Sequence, residues 1–275
     1  MRKYLTLVLL LVASTLSQGC KHKSPVNSPS QRVTLDVFAA ASLTESFSEI
    51  GRKFEAAHPG VTVTFNFAGS QQLREQLAHG APADVFASAN TKEMNSARSA
   101  SLVDAKSVRV FARNRLIVIF PKNTLMPIAS LADLARKGLH LDVADPAVPV
   151  GKYTLQMLDK MNKDPSFGPG FKTRVLANVV SREENVKSVA AKVRLGEADA
   201  GVVYVTDVTP DASKEISSLE IPDAFNQVAE YPIAVTAKSP HAQLAGQFTD
   251  FVLSPQGQAA LHARGFLPAA ADSKP

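Results

Sequence analysis

The stretch Val33-Thr34-Leu35-Asp36-Val37-Phe38-Ala39-Ala40-Ala41-Ser42-Leu43-Thr44-Glu45 runs from a strand straight into a helix start. Val33, Leu35 and Val37 alternate as on a half-buried strand. The alanines at 39, 40 and 41 leave no bulk at the junction, and Ser42 followed by Glu45 fits a capping box. A helix start offers free N–H donors and the positive pole of the peptide dipoles, so it can hold an anion without lysine or arginine. The same grammar returns in Val61-Thr62-Val63-Thr64-Phe65-Asn66-Phe67-Ala68-Gly69-Ser70-Gln71-Gln72-Leu73. Two serine-headed helix starts predict one shared oxyanion site, although each serine also reads as an ordinary N-cap.

Outward from these junctions, strand-like and helix-like segments alternate: strands at 33–39, 61–67 and 84–88, helices at 43–57, 70–79 and 91–99. In the first helix Leu43, Phe47, Ile50 and Phe54 form one buried stripe, which His58-Pro59-Gly60 ends. A long apolar strand, Leu116 to Phe120, opens a second alternation. It holds a helix capped by Ser130, a strand at 139–144, helices at 153–161 and 186–195, and a strand at 201–205. Tyr231 to Thr236 reads as a returning strand, and Leu244 to Leu253 as a helix that rejoins the first half. The expected fold is α/β, a two-lobed clamshell in which each lobe is a mostly parallel sheet flanked by helices, with a ligand in the cleft. Lobe 1 is expected at 33–112 plus 236–268, lobe 2 with the hinge strands at 113–235, and a short tail at 269–275.

The first nineteen residues read as an export signal, with Arg2 and Lys3 ahead of the apolar stretch Leu5 to Leu16. The sole cysteine, Cys20, follows Leu16-Ser17-Gln18-Gly19 and resembles a lipoprotein cleavage site, although Ser17 stands where leucine is usual. Lipidation at Cys20, with residues 20–32 as lipid anchor and flexible tether, is the expectation. A net charge of +5 with a pI near 9.3 would ordinarily suggest nucleic acid or membrane partners. All five surplus bases, Arg2, Lys3, Lys21, Lys23 and Arg32, precede Val33, so the folded part carries 25 bases against 25 acids. No nucleic-acid partner is expected.

Catalytic signatures are missing from the sequence. Neither serine lies in a G-x-S-x-G elbow, the histidines show no metal-ligand spacing, and no phosphate-binding glycine loop is present. Asp84, in Ala81-Pro82-Ala83-Asp84-Val85-Phe86, is a lone carboxylate entering a strand and reads as turn or packing chemistry. Neither an enzyme nor a resident cofactor is expected.

The phrases Phe38 to Thr44, Phe67 to Ser70, Gly80 to Phe86, Asp145-Pro146-Ala147-Val148-Pro149-Val150-Gly151, Glu184-Asn185-Val186 and Gly201-Val202-Val203-Tyr204 resemble the substrate-binding proteins of bacterial molybdate ABC transporters. The resemblance spans Val33 to about Pro268. It implies a type II periplasmic-binding-protein fold that takes molybdate, and tungstate with it, and delivers it outside the cytoplasm to a membrane permease driven by a cytoplasmic ATPase; a monomer is expected. Transferred position by position, it implies ligand hydroxyls on Ser42, Ser70 and Tyr204 and ligand backbone amides on Val150 and Val186. Molybdenum would be held only as the oxyanion, through these five residues. Val150 stands where alanine is familiar in the family, and Gly69-Ser70-Gln71 replaces a run of serines. Binding of another tetrahedral oxyanion, chiefly sulfate, is the alternative. The fold also suits the effector domain of a transcription regulator, which the export signal and the absence of a helix-turn-helix segment disfavour. A hydrolase using Ser42 would need a base that the sequence does not supply.

Overall fold

The computed structural model describes residues 32–269; the signal, Cys20 and nearly all of the tether and tail lie outside them. Two sheets carry the fold. The first, in the order β11-β4-β10-β3-β1-β2, is built from β1 (Val33–Ala40), β2 (Val61–Ala68), β3 (Val85–Ala87), β4 (Arg109–Asn114), β10 (Ala229–Val235) and β11 (Leu267–Pro268). The second, in the order β7-β6-β8-β5-β9, contains β5 (Leu116–Pro121), β6 (Leu141–Ala144), β7 (Val179–Glu183), β8 (Ala200–Tyr204) and β9 (Ile216–Glu220).

Both sheets are mixed rather than mostly parallel. β1 runs parallel to β2 and β3, but β10 is antiparallel to β3 and β4, and β11 to β4. In the second sheet β6 is parallel to β7 and β8, while β5 is antiparallel to β8 and β9. The strands that run against the rest of their sheets are β5 and β10, each of which follows a crossing and so enters from the other sheet instead of returning through a helix, and the short C-terminal β11. The crossings themselves fall at Arg115, between β4 and β5, and between β9 and β10. Residues 113–114 and the whole of β10, expected among the hinge strands, hydrogen-bond within the first sheet.

Helices α1 (Thr44–Ala57), α2 (Ser70–Ala78), α3 (Thr91–Ser99), α7 (Ala242–Leu253) and α8 (Pro255–His262) accompany the first sheet. The stripe on α1 is real, since Leu43, Phe47, Ile50 and Phe54 are fully buried. Phe248 of α7 packs edge-on against Phe54 at 5.2 Å between centroids, which brings the C-terminal helix back to the first lobe. The second sheet carries α4 (Pro149–Lys163), α5 (Phe171–Ala177) and α6 (Val186–Arg194). Two segments differ from their sequence reading. The Ser130 segment is a 3-10 turn, Leu131–Ala135, and α4 starts four residues earlier than its apolar pattern suggests. Pro149 explains the latter, because its fixed φ suits the first helical position, where no N–H is needed.

Asp84 ties the first sheet together. Its carboxylate accepts from the Asp36 amide at 2.9 Å and from Ser239 Oγ at 2.5 Å, which is packing chemistry as its position suggested. At the crossings, Asn226 Oδ1 accepts from Leu116 N at 3.0 Å and Asn226 Nδ2 donates to Leu116 O at 2.9 Å, pinning one crossing to the other.

Candidate anion-binding site

Ser42, Ser70, Val150, Val186 and Tyr204 all line one small cavity between the lobes, and all five are buried. Ser42 and Ser70 sit at the carboxyl ends of adjacent parallel strands β1 and β2. Val150 is the second residue of α4, Val186 the first of α6, and Tyr204 the last of β8. No charged side chain lines the cavity. The amides of Ser70, Val150 and Val186, in the first turns of α2, α4 and α6, have no intrahelical acceptor, so they are available as donors at its wall.

Neither serine is an N-cap. Ser42 lies within a 3-10 turn, Ala41–Leu43, that precedes α1, and Glu45 turns away to pair with Lys187. The capping box at Ser42 and Glu45 is thus not formed, because tertiary partners claim both side chains. Ser42 Oγ instead shares a 2.9 Å hydrogen bond with the hydroxyl of Tyr231. Ser70 is the first residue of α2 behind Gly69, and its Oγ accepts from the Ala89 amide at 3.0 Å. With that lone pair engaged, the Ser70 proton is free to point into the cavity. Among the described residues the Tyr204 hydroxyl has no hydrogen-bond partner, and burial holds its phenol well above the ordinary tyrosine range. It is therefore a neutral donor at every physiological pH.

Two close approaches set the shape. A Cβ on Gly151 would lie 2.1 Å from the Asp145 carbonyl oxygen, so only glycine lets the start of α4 fold down and present the Val150 amide. A Cβ on Gly69 would lie 2.5 Å from the Glu184 carbonyl oxygen, across the cleft. The lobes are also joined by hydrogen bonds from Gln71 Nε2 to Glu184 O at 3.1 Å and from Gln72 Nε2 to Glu184 Oε2 at 2.8 Å. Lys187 bridges Glu45 of α1, at 2.8 Å, to Asp207 of its own lobe, at 3.2 Å. Burial pushes the Asp207 carboxyl up, with the Lys187 ammonium pulling against it. The pocket between the lobes is small, an empty space of about 210 Å³ that includes its mouth to solvent.

The sequence reading missed Tyr231, Asn114, Ala89 and the Glu45–Lys187–Asp207 cluster. Tyr231 reaches Ser42 across 189 residues, a separation that leaves no local signal. Among the described residues no group of three or more histidine, cysteine, aspartate or glutamate side chains could hold a bare metal ion, and no helix is long and apolar enough to cross a membrane.

Residues 35–267 match the family model described as bacterial extracellular solute-binding protein. The chain belongs to this family. The molybdate-binding protein ModA of Mycobacterium tuberculosis is 38% identical over 263 residues, covering 93% of this chain and 95% of that protein. Among solved structures, the periplasmic molybdate-binding protein of Azotobacter vinelandii superposes with a TM-score of 0.74 at 21% identity, covering 86% of this chain and 99% of that one. The sulfate-binding protein SubI of Mycobacterium tuberculosis does so with a TM-score of 0.77 at 20% identity, covering 86% and 88%. At those identities the two structures establish the two-lobed periplasmic-binding-protein fold. As a member of the family, the protein is an extracytoplasmic solute-binding component of transport and not an enzyme.

Proposed function

We propose that the protein captures molybdate, and tungstate with it, in the interlobe cavity and delivers it to the permease of an ABC transporter. The observation that carries this reading is a small interlobe pocket whose side-chain hydroxyls and helix-start amides are neutral donors, with no charged side chain among the described residues at its wall. The ligands in this reading are the hydroxyls of Ser42, Ser70 and Tyr204 and the amides of Val150 and Val186. Hydrogen bonds to a charged acceptor contribute about 1.5–3 kcal/mol each, so five to seven of them offset much of a dianion's desolvation. Molybdate is a fully ionised tetrahedron near neutral pH and offers only acceptors, which a ring of donors satisfies. The 38% identity to a molybdate-binding relative supports molybdate over sulfate, which has the same charge and shape. No cofactor takes part, and the protein works as a monomer tethered through lipidated Cys20 at the outer face of the membrane.

The test is calorimetry and thermal shift with molybdate, tungstate, sulfate and phosphate in parallel. Molybdate at about a thousand times its dissociation constant should stabilise the fold by about 4 kcal/mol. Stabilisation by sulfate alone would remove molybdate from the assignment and keep the oxyanion site. Mass spectrometry of the mature N-terminus checks the lipid on Cys20.

A further inference from the structure

We propose that Tyr231 and Asn114 orient the hydroxyl of Ser42 so that its proton points into the cavity, which makes them selectivity residues for fully deprotonated anions. This rests on the reading of the cavity as an oxyanion site and extends it to two residues that do not line the cavity. Tyr231 is fully buried, and its hydroxyl has two hydrogen-bond partners, Ser42 Oγ at 2.9 Å and Asn114 Nδ2 at 3.4 Å. Asn114 Oδ1 accepts from the Arg115 amide at 2.9 Å, which fixes the amide's orientation and turns Nδ2 towards Tyr231 and towards Thr206 Oγ1, at 2.8 Å. Nδ2 is a donor only. Of its two hydrogen-bond partners only Ser42 Oγ can accept the Tyr231 proton, and burial keeps that proton in place by pushing the phenol far above its ordinary range. Ser42 Oγ, receiving from Tyr231, directs its own proton to the remaining neighbour, the cavity.

The arrangement matches the other serine. Ser70 Oγ receives from the rigid Ala89 amide; Ser42 Oγ receives from a phenol whose direction Asn114 sets. Each hydroxyl keeps its proton for the anion. An unrestrained serine hydroxyl rotates and can accept a hydrogen bond from hydrogen phosphate as readily as it donates to molybdate. A Ser42 held by Tyr231 could offer its second lone pair to that hydrogen only by turning its own proton away from the anion, so a protonated anion leaves one hydrogen unsatisfied at a buried site, which is costly. Asn114 ends β4 beside the Arg115 crossing and Thr206 belongs to the second lobe, so the relay is complete only when both lobes are in register.

The test compares dissociation constants for molybdate and for hydrogen phosphate, at about pH 8, in the wild type and in Tyr231→Phe, Asn114→Asp, Ser42→Ala and the double variant Tyr231→Phe/Ser42→Ala. Phenylalanine keeps the ring packing and removes the donor. Aspartate keeps the acceptor for Arg115 N and gives the Tyr231 proton a second destination. Both single changes are expected to weaken molybdate roughly tenfold, the loss of one charge-assisted hydrogen bond, while phosphate weakens less or gains, so that the preference for molybdate falls about tenfold. In the Ser42→Ala background, Tyr231→Phe is expected to leave the preference unchanged. Equal loss for both anions, no loss for either, or the same change of preference without Ser42 would overturn the proposal. A wild type that binds sulfate but not molybdate would sink the molybdate assignment only, and the same comparison then runs with sulfate against hydrogen phosphate.

Discussion

Ser70 illustrates how much one hydroxyl is asked to do. Its oxygen accepts from the Ala89 amide and its proton is left unengaged, so Ser70→Ala removes a donor that the proposed site uses and strands a buried N–H. Molybdate affinity is expected to fall roughly ten- to a hundredfold, with stability lower by about 1–2 kcal/mol, as read by calorimetry and denaturant unfolding. Away from the site, Asp142 on β6 is fully buried and neither carboxylate oxygen has a hydrogen-bond partner. Burial, reinforced by the nearby Glu183 carboxylate, pushes its carboxyl up to about 7. The folded protein therefore holds this proton more tightly than the unfolded chain does. Stability declines as pH rises from the ordinary carboxylate value to about 7, and the full penalty applies above that. Asp142→Asn is expected to raise unfolding free energy by about 1–4 kcal/mol near pH 8, with the gain vanishing towards about pH 4.

At the scale of elements, the site is a meeting of helix starts, and each start is placed by a local device. Asn185 Oδ1 caps α6 through the Ser188 amide at 3.0 Å, Pro149 opens α4, and Gln72 Oε1 accepts from the Gly69 amide at 3.0 Å ahead of α2. The start of α4 depends on Gly151 lying against the Asp145 carbonyl. Gly151→Ala forces that contact apart. It is expected to cost about 1–3 kcal/mol of stability and to weaken molybdate by displacing the Val150 amide, whereas alanine at Gly246 on α7, with open space around it, should do neither.

For the whole molecule, closure rests on the Gln71 and Gln72 contacts with Glu184 and on the arm from Lys187 to Glu45. Glu45→Gln cuts the charged arm between lobes while Lys187 keeps Asp207 as its partner. The fold should survive. Loss of about 1 kcal/mol from a partly exposed ion pair is expected to speed molybdate release about fivefold with little change in the association rate, a split that stopped-flow measurement resolves.

Most of the elements, and the positions that line the cavity, could be read along the chain. The alternation at Val33 to Val37 and the stripe from Leu43 to Phe54 obey the strand and helix periods, and residues 33–45 and 61–73 carry the junctions with their serines because such signals are local. Five separated positions, from Ser42 to Tyr204, were legible through motif phrases, and one cavity gathers them. Tertiary structure decided the rest. Strand direction next to a crossing depends on which sheet the chain enters, so the mixed sheets and the place of β10 were not readable along the chain. Whether Ser42 caps a helix or faces a cavity depended on Tyr231, 189 residues away, and whether Glu45 completes a capping box depended on Lys187, 142 residues away. Propensity acts through near neighbours in sequence, whereas the orientation of a hydroxyl proton is set by whatever donor the fold brings beside it.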